Sequence, residues 1–267
     1  MKYIATISGG KDSTTMCDLL LKNGYPLDEI IFTDTLEEFK EMYVYIKKLK
    51  DYFKRKYNKD ITILKPKLTF DHWAYGSIKK ESSKRLGMIR GFPSKDGMCY
   101  WRRESKVHPI DRYLAKKYKN EEITIYIGYT KGENRSIKET ENFKYSYPLQ
   151  DLFPMSEDDC KSYLINEDME NPLYKHFSRT GCAMCPFQSD KSWYQVYINY
   201  PDVWENMKQR ELKLQELEDS GKVIINKFWF MGNKTCNDME LEFKLKNSQG
   251  SLFDFSDEPI KDCFCKI

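Results

Sequence analysis

An α/β fold with a doubly wound, mostly parallel sheet is the expectation from the sequence, and three observations carry it. Short apolar, β-branched runs alternate with amphipathic helical patterns through the first half of the chain. The first run ends in Ser8-Gly9-Gly10 and opens directly into a helical stretch. The second ends in Asp34, at the strand edge where ligands sit in such sheets.

The strand candidates are residues 3–7, 29–32, 61–64 and 123–127, each apolar enough to be buried on both faces. The glycine pair lets the backbone turn tightly and turn its N–H groups outward. The helix behind it is expected to start near Ser13 and to close at Asn23-Gly24. A second helix is expected over about 36–56, and a third from about Lys106 or Pro109 to Lys119. Residues 130–147 read as a loop. Ser156 caps a short helix through Ile165, with Asp158 and Asp159 in its first turn. Asn171-Pro172 breaks the chain, residues 193–217 form one or two helices interrupted at Pro201, and 223–231 read as a late strand. The expected organisation is a nucleotide-binding domain over 1–150, followed over 151–267 by a mainly helical region that contains cysteines.

Composition narrows the function classes. Of 267 residues, 40% are hydrophobic, enough for a core, and 32% are charged, which argues against a membrane protein. No apolar run approaches the ~20 residues of a spanning helix. The N-terminus leads straight into the first strand, so no signal peptide and a cytoplasmic location are expected. The net charge of +3 does not by itself imply a nucleic-acid partner. Two local clusters are more suggestive: Lys47, Lys48, Lys50, Lys54, Arg55 and Lys56 on one helix, and Lys79, Lys80, Lys84 and Arg85 in a turn-rich stretch. Each is either a solvated face or a groove for a phosphate backbone. Eight cysteines in a reducing compartment favour metal or redox chemistry over a disulfide framework.

The chemistry concentrates in Ser8, Gly9, Gly10, Lys11, Asp12 and Ser13. Backbone donors, the positive end of a helix and a lysine together make a cradle for phosphate oxygens. The spacing is neither the Walker pattern nor the dinucleotide fingerprint. It resembles the pyrophosphate loop of the ATP pyrophosphatase superfamily, of adenine nucleotide alpha hydrolase type. That superfamily includes phosphoadenylylsulfate (PAPS) reductases, sulfate adenylyltransferase small subunits, tRNA thiolases and DNA phosphorothioation ATPases. Further blocks follow in the family's order. Phe32-Thr33-Asp34-Thr35 resembles the segment ending strand two. Cys99 to Leu114 resembles the family's Cys…Lys-x2-Pro-x3-Arg segment, with a gap from Cys99 to Lys106 about two residues longer. Gly128 to Arg135 resembles the loop after strand four. Tyr147-Pro148-Leu149 with its acidic helix start, and Asn171-Pro172-Leu173-Tyr174 before Gly181-Cys182-Ala183-Met184-Cys185-Pro186, complete a resemblance over about 1–215.

The resemblance implies a Rossmann-like fold and an enzyme that cleaves ATP to AMP and pyrophosphate, adenylating an acceptor for sulfur transfer. Lys11, Ser13 and Asp34 are the expected catalytic residues. ATP and its pyrophosphate are expected on Ser8, Gly9, Gly10, Lys11, Asp12, Ser13, Asp34, Thr35, Gly128 and Arg135, with Mg²⁺ as counter-charge. Asp34 can hold Mg²⁺ or a nucleotide hydroxyl, or cap a helix; Arg135 can clamp an anion or form a surface ion pair. Cys182-x2-Cys185 is a metal chelate by spacing. Cys160, Cys182, Cys185 and one tail cysteine, Cys263, are the expected ligand set for a [4Fe-4S] cluster or Zn²⁺. Cys17 is expected in the core, and Trp101-Arg102-Arg103 is weighed as a base-stacking clamp. Expected partners are the nucleotide, a nucleic-acid or small-molecule acceptor and a sulfur-donor protein, with a homodimer left open. The alternatives are a PAPS or APS reductase, an amide-forming relative, or a non-catalytic nucleotide-binding protein. The first is disfavoured because the Glu-Cys-Gly-Leu-His segment of PAPS reductases is missing and Cys99 has no adjacent cysteine.

Overall fold

The structure is a computed structural model and describes residues 1–94, 99–133, 137, 139, 143–229 and 233–248. In chain order the elements are β1 (Lys2–Ile7), α1 (Lys11–Lys22), β2 (Glu29–Thr33), α2 (Lys40–Tyr57), β3 (Ile61–Leu64), α3 (Phe70–Tyr75), β4 (Ile89–Gly91), α4 (Tyr100–Arg102), a π-helical segment (Arg103–Val107), α5 (His108–Lys117), β5 (Ile123–Tyr126), β6 (Phe143–Ser146), α6 (Pro148–Asp151), α7 (Glu157–Asn166), a 3-10 turn (Pro172–Lys175), α8 (Asp190–Asn199), α9 (Pro201–Asp219), β7 (Ile224–Asn226) and α10 (Cys236–Ser248). Among the described residues, no helix is long and apolar enough to cross a membrane.

The chain folds as two compact units. The first joins Met1–Pro66 to Glu104–Lys175; the second joins Lys67–Arg103 to the described chain from His176 onward. A boundary at residue 150 thus falls inside the first unit, because α7 packs on α1.

The first unit is the expected α/β layer. Its sheet runs in the order β3-β2-β1-β5-β6, with every neighbouring pair parallel. Ile4, Ile31, Ile123 and Ile125 pack with Ile110 and Leu114 of α5 on one face. Their alternates Ala5, Ile30 and Phe32 are also buried, so both faces are covered. The loop expected over 130–147 ends in a fifth strand instead. β6 reads Phe-Lys-Tyr-Ser and is only partly buried at the sheet edge, so it lacks the continuous apolar run of the inner strands. At the opposite end from the glycine loop, Glu29 opens β2. Burial alone raises its carboxyl, but hydrogen bonds from Thr62, Tyr113, Tyr118 and Lys117 outweigh burial and hold it below the ordinary glutamate value. Asp18 is also buried and accepts the hydroxyls of Tyr52, Tyr57 and Tyr163, which ties α1 to α2 and α7.

The second unit has an aromatic core. Trp229 is fully buried and stacks on Phe92 at 3.9 Å and on Phe70 at 5.4 Å. Trp101 is also buried and meets Phe70 edge-on, so it is a core residue and not the base-stacking platform weighed from the sequence. β4 and β7 form a short parallel pair. α3, β4 and α10 carried no clear sequence signal.

Candidate functional site

The site grows from the end of β1. Helix α1 begins at Lys11, two residues before the sequence expectation, with Gly10 as its extended N-cap. Lys11, Asp12 and Ser13 therefore fill the first turn, where backbone N–H groups lack helical partners. Gly9 has φ +75°, and a Cβ there would collide with the Met42 sulfur. The loop braces itself: Ser8 N–H donates to Ser13 Oγ at 3.0 Å, the two serine hydroxyls share a 3.1 Å hydrogen bond, and Gly10 N–H donates to Ser8 Oγ at 3.3 Å.

The 3-10 turn after α7 adds two struts to this loop. Buried Asn171 donates its Nδ2 to the Gly9 carbonyl at 2.8 Å, while its Oδ1 accepts the Leu173 N–H. The Tyr174 hydroxyl accepts the Lys11 N–H at 2.8 Å, and the Lys11 ammonium sits 5.5 Å from the Tyr174 ring centroid. Sequence reading placed Asn171 and Tyr174 in a resembling segment but gave them no role.

Lys11 is 8% exposed, and its Nζ lies 2.7 Å from Glu157 Oε2. Glu157 opens α7, whose cap is a reciprocal box: Asp159 N–H donates to Ser156 Oγ at 3.1 Å and Ser156 N–H to Asp159 Oδ2 at 2.8 Å. Single oxygens of Asp12, Glu133 and Glu157 all lie within 4.8 Å of one another. Such an oxygen-donor set suits a hard divalent cation such as Mg²⁺. Glu133 is fixed by its own turn, since Oε2 accepts both the N–H and the hydroxyl of Thr130. The sequence places Asp12 among the pyrophosphate-binding residues and offers Asp34 for Mg²⁺; it marks none of Asp12, Glu133 and Glu157 as a cation ligand. They are separated along the chain, and only the fold gathers them.

The strand order reverses between β1 and β5, which makes their carboxyl ends the switch point of the sheet. Gly128 lies just past β5 at that point. A Cβ on it would stand 2.9 Å from both Cα and N of Ser13, so only glycine lets the two loops meet. Asp34, past β2, is 4% exposed. One carboxylate oxygen accepts the Leu36 N–H at 2.8 Å and the Tyr43 hydroxyl at 3.0 Å, and the other lies 3.4 Å from Lys65 Nζ. Its interactions hold its own loop. Thr35 is fully buried and donates to Glu38 at 2.7 Å. Burial, countered by Lys106 and Thr35, raises the Glu38 carboxyl above its ordinary value. Arg135 lies outside the described residues.

The cysteines divide. Cys160 is fully buried on α7 in the first unit, its carbonyl accepting the Thr15 hydroxyl at 3.3 Å. Cys182 and Cys185 belong to the second unit, on a turn closed by Cys185 N–H to the Cys182 carbonyl at 3.1 Å. Gln188 Nε2 donates to the Ala183 carbonyl at 2.9 Å and braces that turn. Cys263 lies outside the described residues. The turn at 182–185 suits a two-thiolate chelate, but zinc or a cluster takes four protein ligands in a closed site. No cysteine enters a group of three ligand atoms among the described residues. Cys17 is fully buried in the core, and burial pushes its thiol far up, so it is not a reactive thiolate.

Comparison with known proteins supplies the remaining findings. A family model for the phosphoadenosine phosphosulfate reductase domain matches residues 2–188. Among solved structures, the chain is similar to phosphoadenylyl-sulfate (PAPS) reductase from Candida auris in a phosphate complex. The identity is 20% and the TM-score 0.48, with 68% of this chain and 81% of that chain covered. It is also similar to the U34-tRNA thiolase NcsA from Methanococcus maripaludis with its [4Fe-4S] cluster. There the identity is 14% and the TM-score 0.39, with 83% of this chain and 70% of that chain covered. No curated protein matches. At these TM-scores neither likeness transfers chemistry to this chain.

Proposed function

The chain belongs to the phosphoadenosine phosphosulfate reductase domain family, and from that premise we propose that it cleaves ATP between the α and β phosphates and adenylates an acceptor for sulfur transfer. The observation that carries this reading is the first turn of α1, held open at the switch point with Lys11 inside it and three carboxylates beside it.

In this mechanism the pyrophosphate end of ATP lies against the first turn of α1 and on the Lys11 ammonium, while the Gly10 and Lys11 N–H groups stay with Ser8 and Tyr174. The Lys11 ammonium has three protons, and its Glu157 contact occupies one. An acceptor nucleophile attacks the α-phosphorus. The bond to the α–β bridging oxygen breaks, and the electron pair leaves with pyrophosphate. Lys11 and the α1 N-terminus stabilise the charge that builds on this leaving group. Asp12, Glu133 and Glu157 would hold Mg²⁺, which supplies further charge neutralisation when bound. Asn171 and Tyr174 fix the loop before substrate arrives, so no reorganisation is needed as charge develops. A sulfur donor then displaces AMP from the adenylated acceptor. No step is assigned to the turn at 182–185.

The test is product analysis. Wild-type protein given ATP, Mg²⁺ and candidate acceptors should release AMP and pyrophosphate, resolved by ion-pair chromatography. Lys11→Ala should lower that rate by at least ~100-fold, the scale seen when one charge-stabilising donor is removed. ADP and phosphate as the products, or an unimpaired Lys11→Ala protein, would reject the mechanism. Sulfite released from PAPS without ATP cleavage would favour the reductase reading instead.

A further inference from the structure

We propose that the hairpin over residues 76–90 is a docking surface for a nucleic-acid phosphate backbone. The inference stands on the hairpin's own residues and does not depend on the adenylation reading.

The charge distribution points there. Lys79, Lys80, Lys84 and Arg85 are all exposed, and the only acid among them is Glu81. Residues 79–85 thus carry net +3, which equals the formal net charge of the entire chain, so acids and bases balance over the remaining residues. None of the four cations forms an ion pair among the described residues. The other basic cluster, on α2, is different. Lys50 lies 3.2 Å from Asp60, Lys48 lies 3.6 Å from Asp168, and Lys56 is shared between Asp18 and Glu167. Half of that cluster's cations are thus held by acids, while none of the hairpin's four is.

The hairpin is also a held shape. Ile78 N–H donates to the Met88 carbonyl at 2.9 Å, and Gly87 N–H returns to the Ile78 carbonyl at 2.9 Å. Ser77 bridges Ile89, which is itself part of β4. At the tip, Ser83 N–H donates to the Lys80 carbonyl and Leu86 N–H to the Ser83 carbonyl. Backbone order of this kind lets four flexible cations present together at a small entropic cost. The partner's chemistry follows from what else is exposed. Leu86 is the one exposed large apolar residue on the segment. A protein hot spot or a membrane-inserting face needs several such groups. A polyanion that needs only charge and hydrogen bonds does not, and serines at 82 and 83 add hydroxyl donors for phosphate oxygens.

The experiment measures fluorescence anisotropy of a labelled stem-loop RNA and a labelled duplex DNA against full-length protein across a salt series. Each phosphate contact contributes roughly 0.7 (single strand) to 0.9 (duplex) to the slope of log affinity on log salt. The protein carrying Lys79→Gln, Lys80→Gln, Lys84→Gln and Arg85→Gln should therefore show a slope shallower by about 3. Glu81→Lys should steepen it by about 1. Both variants should keep the wild-type melting curve and the wild-type affinity for ATP, read by calorimetry. Equal slopes for wild type and the fourfold variant would overturn the proposal. So would tighter binding to polyaspartate or to phosphatidylserine vesicles than to either nucleic acid. If wild type binds through the hairpin yet never makes AMP, the adenylation reading fails and the docking surface survives.

Discussion

Asn171 shows how much a single side chain can govern at this site. It is 1% exposed and holds the carbonyl of Gly9, a residue kept at φ +75°. Asn171→Ala leaves that carbonyl without its amide partner, a loss of ~1–3 kcal/mol. The expected outcome is a lower midpoint in urea together with slower AMP formation, read on the same preparation. Leu36 is the opposite case. It sits at φ 62°, where the other non-glycine residues of positive φ are Asn58, Asn120 and Asp168, types that tolerate that region. The Asp34 hydrogen bond to its N–H compels the conformation. The left-handed region costs a branched residue such as leucine ~1–2 kcal/mol, of which glycine's looser unfolded chain returns ~0.5–1. Leu36→Gly should therefore raise stability by up to about 1 kcal/mol in a urea titration, and a loss of stability would contradict the strain.

Among elements, the contact between the loop after β5 and the start of α1 is the tightest test of the site. Gly128→Ala drives a methyl into the Ser13 backbone, and overpacking of that kind costs ~1–3 kcal/mol. The variant should lose nucleotide binding, measured calorimetrically, before it loses its fold by circular dichroism. A second case joins α9 to α10. Glu211 accepts the Cys236 N–H at 2.8 Å, and burial pushes its carboxyl up to about 7 against the pull of that hydrogen bond. Its folded value lies above its unfolded one, so the folded chain holds the extra proton between them. Stability is then greatest below about 4.5 and falls as pH rises towards 7, by on the order of 3 kcal/mol. Glu211→Gln should flatten that decline, in melting temperatures taken from pH 5 to 8. An unchanged pH profile would remove Glu211 as its source. The segment Arg103–Val107 is wound as a π-helix, where the spacing from Cys99 to Lys106 is longer than in the resembling family. A wider turn is one way for a helix to take up an extra residue without losing its register.

For the whole molecule, the parallel sheet and the glycine loop were legible because both are local: contiguous apolar runs and a fixed hexapeptide. The start of α1 was misplaced by two residues because glycine caps leave no side-chain signal, and Lys11 therefore proved to be inside the helix rather than before it. Glu133 and Glu157 were not legible as a pair with Asp12, since nothing in their spacing reports a meeting created by β1, β5 and α7. Edge strand β6 was hidden by its polar residues, and α10 by a helical pattern that repeats no clear apolar stripe. The cysteines were legible as a chelate only where two of them share a turn. Anaerobically purified protein should therefore lose any bound metal in the double Cys182→Ser, Cys185→Ser variant, by elemental analysis. Full retention would move the metal elsewhere.

The pairing of β4 with β7 also has a history built into it. Gly91 has no room for a methyl because the Asn226 carbonyl presses against its α-carbon, yet about 130 residues of chain separate the two strands. On the ribosome, β4 must wait for most of the remaining polypeptide before its hydrogen-bonding edge is covered, while all five strands of the central sheet have emerged by Ser146. A chain cut short after Asp219 should thus yield to trypsin between Lys67 and Arg103 while its β1–β6 region survives. In the growing cell, the same interval is when a chaperone would find this protein.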